Sequence, residues 1–277
     1  MIQQFARPHG CGCYLWPNMK NPITLATSLL LLIGSTQLHA QFGGSGGLGG
    51  SSAGPQLNPR MLKLFGEHKA FSADIKFQVV QSGQAEPMTL PGKMAVQDKK
   101  SRFEMNLLEA QGGGIPANAA AQLKQFGMDS MVIISLPEKK VSCILYPGLK
   151  SYVELPMDDE DTAKTDEDFT LEITEAGKET VNGQECIKNK VLINEKDGTT
   201  HEATTWNATE LEKFPIKIET TEEGNQISLL FSEVKLTKPA ASAFEAPSGY
   251  TKYDDMMSMM QGAMLKNMGG GGMPGGN

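Results

Sequence analysis

Apolar and polar residues alternate one by one along much of the chain, which is typical of strands with one buried face. In the clearest run, 71–79, every second residue is apolar. Segments 92–96 and 102–105 flank the polar turn 98–100 and predict a hairpin. Further strands are predicted at 131–136, 141–146, 151–155, 169–174, 184–194, 199–206, 214–220 and 226–236.

The connections between these segments are short and contain residues that favour turns. Pro147-Gly148, Asn182-Gly183 and Asp197-Gly198 all separate predicted strands, and the last two dipeptides favour tight hairpins. Strands that follow one another this closely, without helices between them, pair antiparallel. The sequence therefore predicts a mainly β fold with a single large antiparallel sheet of roughly ten strands.

Four short segments have a helical pattern instead. Residues 58–69 begin with Asn58 as a cap and Pro59 at the first helical position. Residues 117–126 are rich in alanine and follow a run of glycines, 208–213 form a single turn, and 253–268 form a methionine-rich helix. A few short helices are therefore expected to cover one face of the sheet.

The N-terminal part of the chain has the features of an export signal. Met19 and Lys20 form a short positive region, 23–33 is apolar, and a small-residue cleavage site lies between Ala40 and Gln41. The apolar run is too short for a spanning helix, which needs about 20 residues. Residues 1–18 are interpreted as an upstream extension before a true start at Met19. The alternative is a long positive region on a start at Met1.

Glycine-rich segments flank the predicted β domain at both ends. Residues 41–55 form a flexible tether, 56–252 the β domain, 253–268 the methionine-rich helix and 269–277 a glycine-rich tail. Cleavage after residue 40 removes Arg7, Lys20 and no acid, so the net charge changes from −7 to −9. An acidic chain without a basic patch is a poor nucleic-acid binder, and no nucleic-acid partner is expected.

Two cysteines remain after cleavage, Cys143 and Cys186. An oxidising compartment permits a disulfide between them. The sequence does not show whether their Cα atoms come within bonding distance. Two separate structural thiols are the alternative. The strand pattern does not support the bridge, because Cys143 alternates with apolar residues of its strand, whereas Cys186 is out of phase with those of its own.

Few residues have the spacing that catalysis or metal binding requires. The acidic run 158–168 has no glycine for a calcium loop and is interpreted as a solvated loop. His68 and His201 have no second histidine at zinc-binding spacing and are interpreted as surface or edge residues. The sequence has no serine nucleophile elbow and no phosphate loop. We therefore expect a protein that is not an enzyme and that holds no cofactor or metal.

The methionine-rich helix at 253–268 has two interpretations. Thioethers suit Cu(I), but no histidine or cysteine accompanies them here. Methionine also packs adaptably on irregular apolar surfaces and at binding faces. Packing, or contact with a partner protein of the cell envelope, is the preferred interpretation, and a frayed tail is the alternative.

The strand pattern resembles the outer-membrane lipoprotein-carrier fold, a LolA/LolB-like half-barrel, and more closely an uncharacterised family of exported bacterial proteins with that fold. The resemblance covers about 56–255 and rests on FSADI at 71–75, GKMAV at 92–96, RFE at 102–104, GKETVNGQEC at 177–186, the segments beginning at Trp206 and Phe214, and FEAPSGY at 244–250. Carriers often have an Arg-Pro pair where this chain has the turn 98–100, so lipoprotein handover is not transferred to it. The resemblance implies a curved sheet and a cavity between sheet and helices. The export signal and the resemblance together predict a periplasmic or extracellular location in a Gram-negative-type bacterium.

These observations lead to two hypotheses about function. The first is an exported binding protein that holds an apolar ligand, a lipid or acyl chain, between sheet and helices, with a lipid or lipidated protein as partner. The lining residues expected from strand alternation and helix face are Phe77, Val79, Met94, Val96, Phe103, Met105, Leu123 and Phe126. The second is a structural or interaction module of the envelope without a small ligand.

Overall fold

The computed structural model describes residues 57–81, 87–112, 116–157, 162, 164–222 and 224–269. The predicted extension, signal, cleavage site at Ala40 and Gln41, and N-terminal tether lie outside the described residues. Residues 158–161 of the acidic run and residues 270–277 of the glycine-rich tail also lie outside them.

Twelve strands form one open, curved sheet, which confirms the predicted fold class. Their order across the sheet is β12-β6-β5-β4-β3-β2-β1-β11-β10-β9-β8-β7. The strands are β1 (Ala70–Val80), β2 (Met88–Gln97), β3 (Lys100–Asn106), β4 (Ser130–Leu136), β5 (Val141–Tyr146), β6 (Ser151–Pro156), β7 (Phe169–Val181), β8 (Gln184–Glu195), β9 (Thr200–Ala208), β10 (Pro215–Glu222), β11 (Asn225–Lys235) and β12 (Thr251–Tyr253).

The sheet consists of two consecutive antiparallel series of strands joined in its middle. Strands β1 to β6 pair in sequence order, and β7 to β11 do the same. The pairing of β1 with β11 joins the two series, and it places Phe77 opposite Leu229. Strand β12 pairs with β6 and is parallel to it.

Three α-helices lie within the described residues: α1 (Pro59–Lys63), α2 (Ala117–Gln125) and α3 (Met256–Gly269). Helix α1 is shorter than the predicted 58–69 because the chain leaves the helix after Leu64, and Gly66 has φ +59°. The predicted single turn at 208–213 is an irregular turn instead, in which Glu212 and Lys213 have positive φ angles that a right-handed helix excludes.

Helix α1 packs on the face of the sheet that we call the helical face. The Phe65 ring centroid lies 4.8 Å from that of Phe71 and 5.6 Å from those of Phe214 and Phe231. Met61 and Leu64 belong to the same buried cluster, which extends over strands on both sides of β1. This aromatic group holds the N-terminal helix against the middle of the sheet.

Residues 236–250, which we call the strap, connect β11 to β12 and cross the opposite face, the strap face. Phe244 of the strap is buried in a cluster with Val132, Ile134 and Leu145. The Arg102 guanidinium donates a hydrogen bond to the Ala243 carbonyl at 3.0 Å. Strands β4 and β5 are therefore buried on both faces, which accounts for their nearly continuous apolar runs.

Beyond the strap, the chain completes one edge of the sheet. Lys252 of β12 pairs with Glu154 of β6 on the strap face. Helix α3 then packs on the helical face, where Met259 is 1% exposed and forms a third cluster with Ile144, Tyr146 and Val153. The strap, β12 and α3 thus cover the edge of the sheet at β6.

The two described cysteines do not form the disulfide that the compartment would permit. Both are free and buried, Cys143 on β5 and Cys186 on β8. Seven strands lie between β5 and β8 in the sheet. Adjacent strands are about 4.8 Å apart, whereas a disulfide requires Cα atoms within about 7 Å. An intramolecular bridge is therefore incompatible with this sheet.

Candidate functional site

Six of the eight predicted lining residues come together on the helical face. Five are buried in the main core cluster, and Val79 packs against it partly buried; the five are Phe77, Met94, Val96, Phe103 and Met105. Strand alternation was sufficient to place them because each lies on the same side as Phe71 and Ile75. Their role in binding a ligand stays a prediction.

The other two predicted residues, Leu123 and Phe126, lie at helix α2. Both are partly buried, and neither belongs to or packs against any of the three buried clusters. Helix α2 has no buried residue, and Pro116 at its N-terminus provides no side-chain cap. The structure therefore does not unite these two residues with the other six.

The C-terminal end of α2 lies against the β5–β6 turn through a close contact between Gly127 and Gly148. A Cβ added to Gly148 would lie 2.5 Å from the Gly127 carbonyl oxygen, so neither position has room for a side chain without movement of the backbone. Gly148 lies in the turn between β5 and β6. The C-terminal end of α2 is thus fixed beside this turn, while the rest of the helix is mostly exposed.

A cavity of about 480 Å³ lies at the middle strands, and most of its lining side chains belong to the strap face. Of the eight predicted residues it includes only Met105. Asp74, Lys93 and Glu104 line it from neighbouring strands, directly opposite one another in the register. This position could have been found from the sequence, because the hairpin register aligns these polar residues.

The charges in this cavity nearly balance. Lys76 and Lys93 accompany Asp74, Glu104 and Glu109, and the Glu104 carboxylate accepts a hydrogen bond from Arg102 Nε at 2.6 Å. Opposite charges on adjacent strands stabilise a sheet modestly by themselves. The cavity therefore has no excess of one charge that would select a cation or an anion.

A half-buried charged cluster connects α1 to the second series of strands. Arg60 Nη1 lies 2.9 Å from His201 Nδ1 and 2.7 Å from Nε2. Glu195, whose side chain is 7% exposed, lies 3.1 Å from His201 Nε2 and 2.5 Å from Lys164 Nζ. The tautomer that satisfies both partners donates Nε2–H to Glu195 and accepts at Nδ1 from Arg60.

Burial lowers the pKa of His201, and the neighbouring Arg60 guanidinium lowers it further; Glu195 acts in the opposite direction. The imidazole is therefore held neutral beside a permanent cation. His68 has a different environment, since its ring lies 5.5 Å from that of Phe214 and one ring nitrogen is 3.1 Å from the Glu212 carbonyl oxygen. Both histidines make structural contacts between α1 or its turn and the sheet.

Helix α3 presents two different surfaces. Met259 and Ala263 are buried against the sheet, whereas Met257 and Leu265 are 70% and 69% exposed. Met260 and Met264 are also exposed.

Metal-ligand clusters of three or more His, Cys, Asp or Glu side chains do not occur within the described residues.

Among the described helices, none is both long and apolar enough to cross a membrane.

Comparisons with known proteins find similarity among solved structures. No family model and no curated protein matches the chain. The chain is similar to a LolA superfamily protein from Nitrosomonas europaea, with 10% identity, 67% of this chain and 94% of the other covered, and a TM-score of 0.35. It is also similar to the lipoprotein LppX from Mycobacterium tuberculosis, with 10% identity, coverage of 65% and 93%, and a TM-score of 0.38.

A third similar structure is the MucA/MucB complex from Pseudomonas aeruginosa, with 14% identity, coverage of 68% and 60%, and a TM-score of 0.33. A member of the superfamily that the sequence resembles is thus among the solved structures to which the chain is similar. All identities are below 25% and all TM-scores below 0.5, so we derive no function from these likenesses.

Proposed function

We propose that this protein is a non-enzymatic, exported binding protein that holds an apolar ligand, a lipid or acyl chain, between the helical face and helix α2. The proposal rests on two observations, an apolar face on the strands of the first series and a helix, α2, whose apolar side chains lie outside the buried clusters. The ligand would lie where α2 meets the strands of the first series.

The helical face provides a row of apolar side chains across six adjacent strands. From β1 to β6 the register aligns Ala73, Met94, Phe103, Ile133, Ile144 and Val153. Aliphatic and aromatic groups are the usual lining of sites for apolar ligands. These six side chains are 0% to 7% exposed, so a ligand would contact the row only after the groups that now cover it have moved aside. The ligand would then take over their apolar contacts without needing a charged partner.

Helix α2 supplies a loosely packed cover, which is held at its C-terminal end by the contact of Gly127 with Gly148. Leu123 and Phe126 lie outside the three buried clusters, so displacing the helix exposes little apolar surface. Apolar side chains that the core leaves unpacked are then available to contact a ligand.

The environment of the two described thiols does not favour nucleophilic catalysis by either of them. Burial is the main cause that raises the pKa of Cys143 and also that of Cys186. A raised pKa keeps a thiol protonated at neutral pH, whereas a nucleophilic cysteine requires the thiolate. Neither cysteine is therefore suited to covalent catalysis.

The test uses the chain from residue 41 to 277 and the fluorescent fatty acid cis-parinaric acid. We expect saturable binding to the wild type, weakened about tenfold or more by Leu123→Asp or Phe126→Asp, because a carboxylate beside an acyl chain loses its hydration. The matched control is Gln122→Asp, which adds the same charge at an exposed position of α2. Lack of binding to the wild type, or equal binding by all variants, contradicts the proposal.

A second function is favoured by one observation, the exposed stripe on α3. Met257, Met260, Met264 and Leu265 offer adaptable apolar contacts that the sheet does not use. An envelope protein that binds this stripe would make the chain an interaction module.

Photo-crosslinking in cells at Met257 should then yield one recurrent protein adduct, and crosslinking at the exposed control position Glu210 should not. Identical adduct patterns at both positions contradict this second function.

A further inference from the structure

The two edge strands of the sheet differ in length and in how far other elements cover them. The edge beyond β6 is completed by the three residues of β12, and α3 packs beside it. At the other edge β7 has 13 residues and pairs with β8 alone among the described strands. An edge strand leaves unpaired N–H and C=O groups along one side, and these can pair with a strand of another polypeptide.

The surface of β7 combines acidic and apolar side chains. Its residues are exposed from 172 to 180, and Ile173 is 61% exposed although it is apolar. Leu171 and Ile173 lie on the helical face, opposite Ile193 and Val191 of β8. Glu172 lies on the strap face between them and accepts a hydrogen bond from Asn194 at 3.0 Å.

An irregularity limits the part of the edge that can accept a regular strand. The register of β7 shifts between Glu175 and Gly177, and Gly177 has φ +117°. Such a bulge twists the strand and interrupts regular pairing. Residues 169–175 therefore form the regular part of the edge, with a length of about 23 Å.

We propose that residues 169–175 of β7 bind an extended segment of another protein in which apolar and basic residues alternate. Main-chain hydrogen bonds to the edge would provide the pairing. Apolar side chains of the added strand would cover Ile173 and Leu171 on the helical face, and basic side chains would lie beside Glu172 on the strap face.

The charges near this edge of the sheet favour this occupant over a second copy of the chain. Glu172 and Glu175 lie on the regular part of β7, which contains no base, whereas Asp168 before it pairs with Lys196 and Glu179 beyond the bulge pairs with Lys188. Two copies paired through this edge would bring acidic side chains close together, and the chain as a whole has a net charge of −7. Like charges on adjacent strands are destabilising.

The experiment measures binding of the peptide acetyl-Lys-Val-Lys-Val-Lys-Val-Lys-amide to the chain from residue 41 to 277, with NMR amide shifts to locate the site. We expect saturable binding, shifts concentrated in residues 169–175, and an affinity at least about tenfold lower for the peptide with Glu in place of Lys. Ile173→Lys should weaken binding about tenfold or more, since it removes the apolar contact and repels the basic strand.

Thr180→Lys is the matched control, because it adds the same charge at an exposed position of β7 beyond the bulge, and it should change affinity by less than about twofold. Thermal melts of both variants establish that they fold. Equal binding of the basic and acidic peptides, shifts outside 169–175, or a dimer held through β7 in light scattering overturns the proposal.

Discussion

Helices α1 and α2 show that the length of a helix does not determine how firmly it is held. Helix α1 has five residues and α2 has nine. The shorter helix has an Asn58 cap, a charged cluster at Arg60, and Phe65 in an aromatic group immediately after its end. The longer helix has no side-chain cap and no buried residue.

The difference follows from the residues that each segment offers to the sheet. The segment 61–65 supplies methionine, leucine and phenylalanine side chains that are 2% to 7% exposed. Helix α2 consists mainly of alanine, asparagine and glutamine, which favour or tolerate a helix but bury little apolar area. One helix is therefore part of the core, and the other is a cover.

The largest expected effect is on stability when the aromatic group of α1 is broken. Phe65→Ala removes a ring that is 2% exposed and leaves a cavity among three other rings, so it should lower the free energy of unfolding by about 3–5 kcal/mol. Phe126→Ala at the end of α2 should lower it by about 1 kcal/mol or less. Urea unfolding followed by circular dichroism measures both.

Similar losses in the free energy of unfolding for the two alanine variants would show that α2 is packed as firmly as α1. The contrast between the two helices would then be wrong.

A smaller effect is expected from the cap of α1. The Asn58 side chain accepts a hydrogen bond from the Met61 N–H at 2.8 Å. Asn58→Ala leaves this N–H without its partner and should cost about 1 kcal/mol. Asn118→Ala in the exposed first turn of α2 is the control and should not change global unfolding. Equal urea midpoints for Asn58→Ala and the wild type would rule out the contribution of the cap.

The smallest effect is a pH dependence that originates at His201. Because its pKa is lowered in the folded state, the unfolded chain binds more protons as the solution becomes acidic. The contribution of His201 to stability is therefore complete above the unfolded pKa of about 6.5 and decreases as the pH falls below it. His201→Gln should reduce the slope of stability against pH between about 7 and 5.

His68→Gln controls for the loss of a histidine that lies outside the cluster with Arg60. If both variants change the slope equally, the cluster with Arg60 is not its source. Melting temperatures in buffers of constant ionic strength are sufficient for this measurement.

Much of the fold could be predicted because most of its strands have a local alternation of apolar and polar residues. The alternation at 71–79 and the hairpin at 92–105 lie within β1, β2 and β3 as observed. Strand β12 was not predicted, because three residues have no measurable period and its pairing with β6 depends on a distant part of the chain. The pairing of β1 with β11 is also long-range and cannot be inferred from local pattern.

The candidate site was predicted less completely than the fold. Alternation located Phe103 and Met105 on the helical face, since side-chain direction follows from strand period. It did not show that Leu123 and Phe126 remain apart from the core, because α2 contains too few apolar residues to define a packed face. The apolar strap face also went unpredicted, although the continuous apolar runs of β4 and β5 indicate burial on both sides.

The pairing of β1 with β11 has a consequence for how the chain folds during synthesis. Strand β1 lies in the middle of the sheet, yet one of its two neighbours is translated about 150 residues later. At roughly 5–20 residues per second, ribosomes need on the order of ten to thirty seconds to supply that neighbour. Until β11 is available, one side of β1 has no partner strand in the sheet, and pairings between strands so far apart in sequence form slowly.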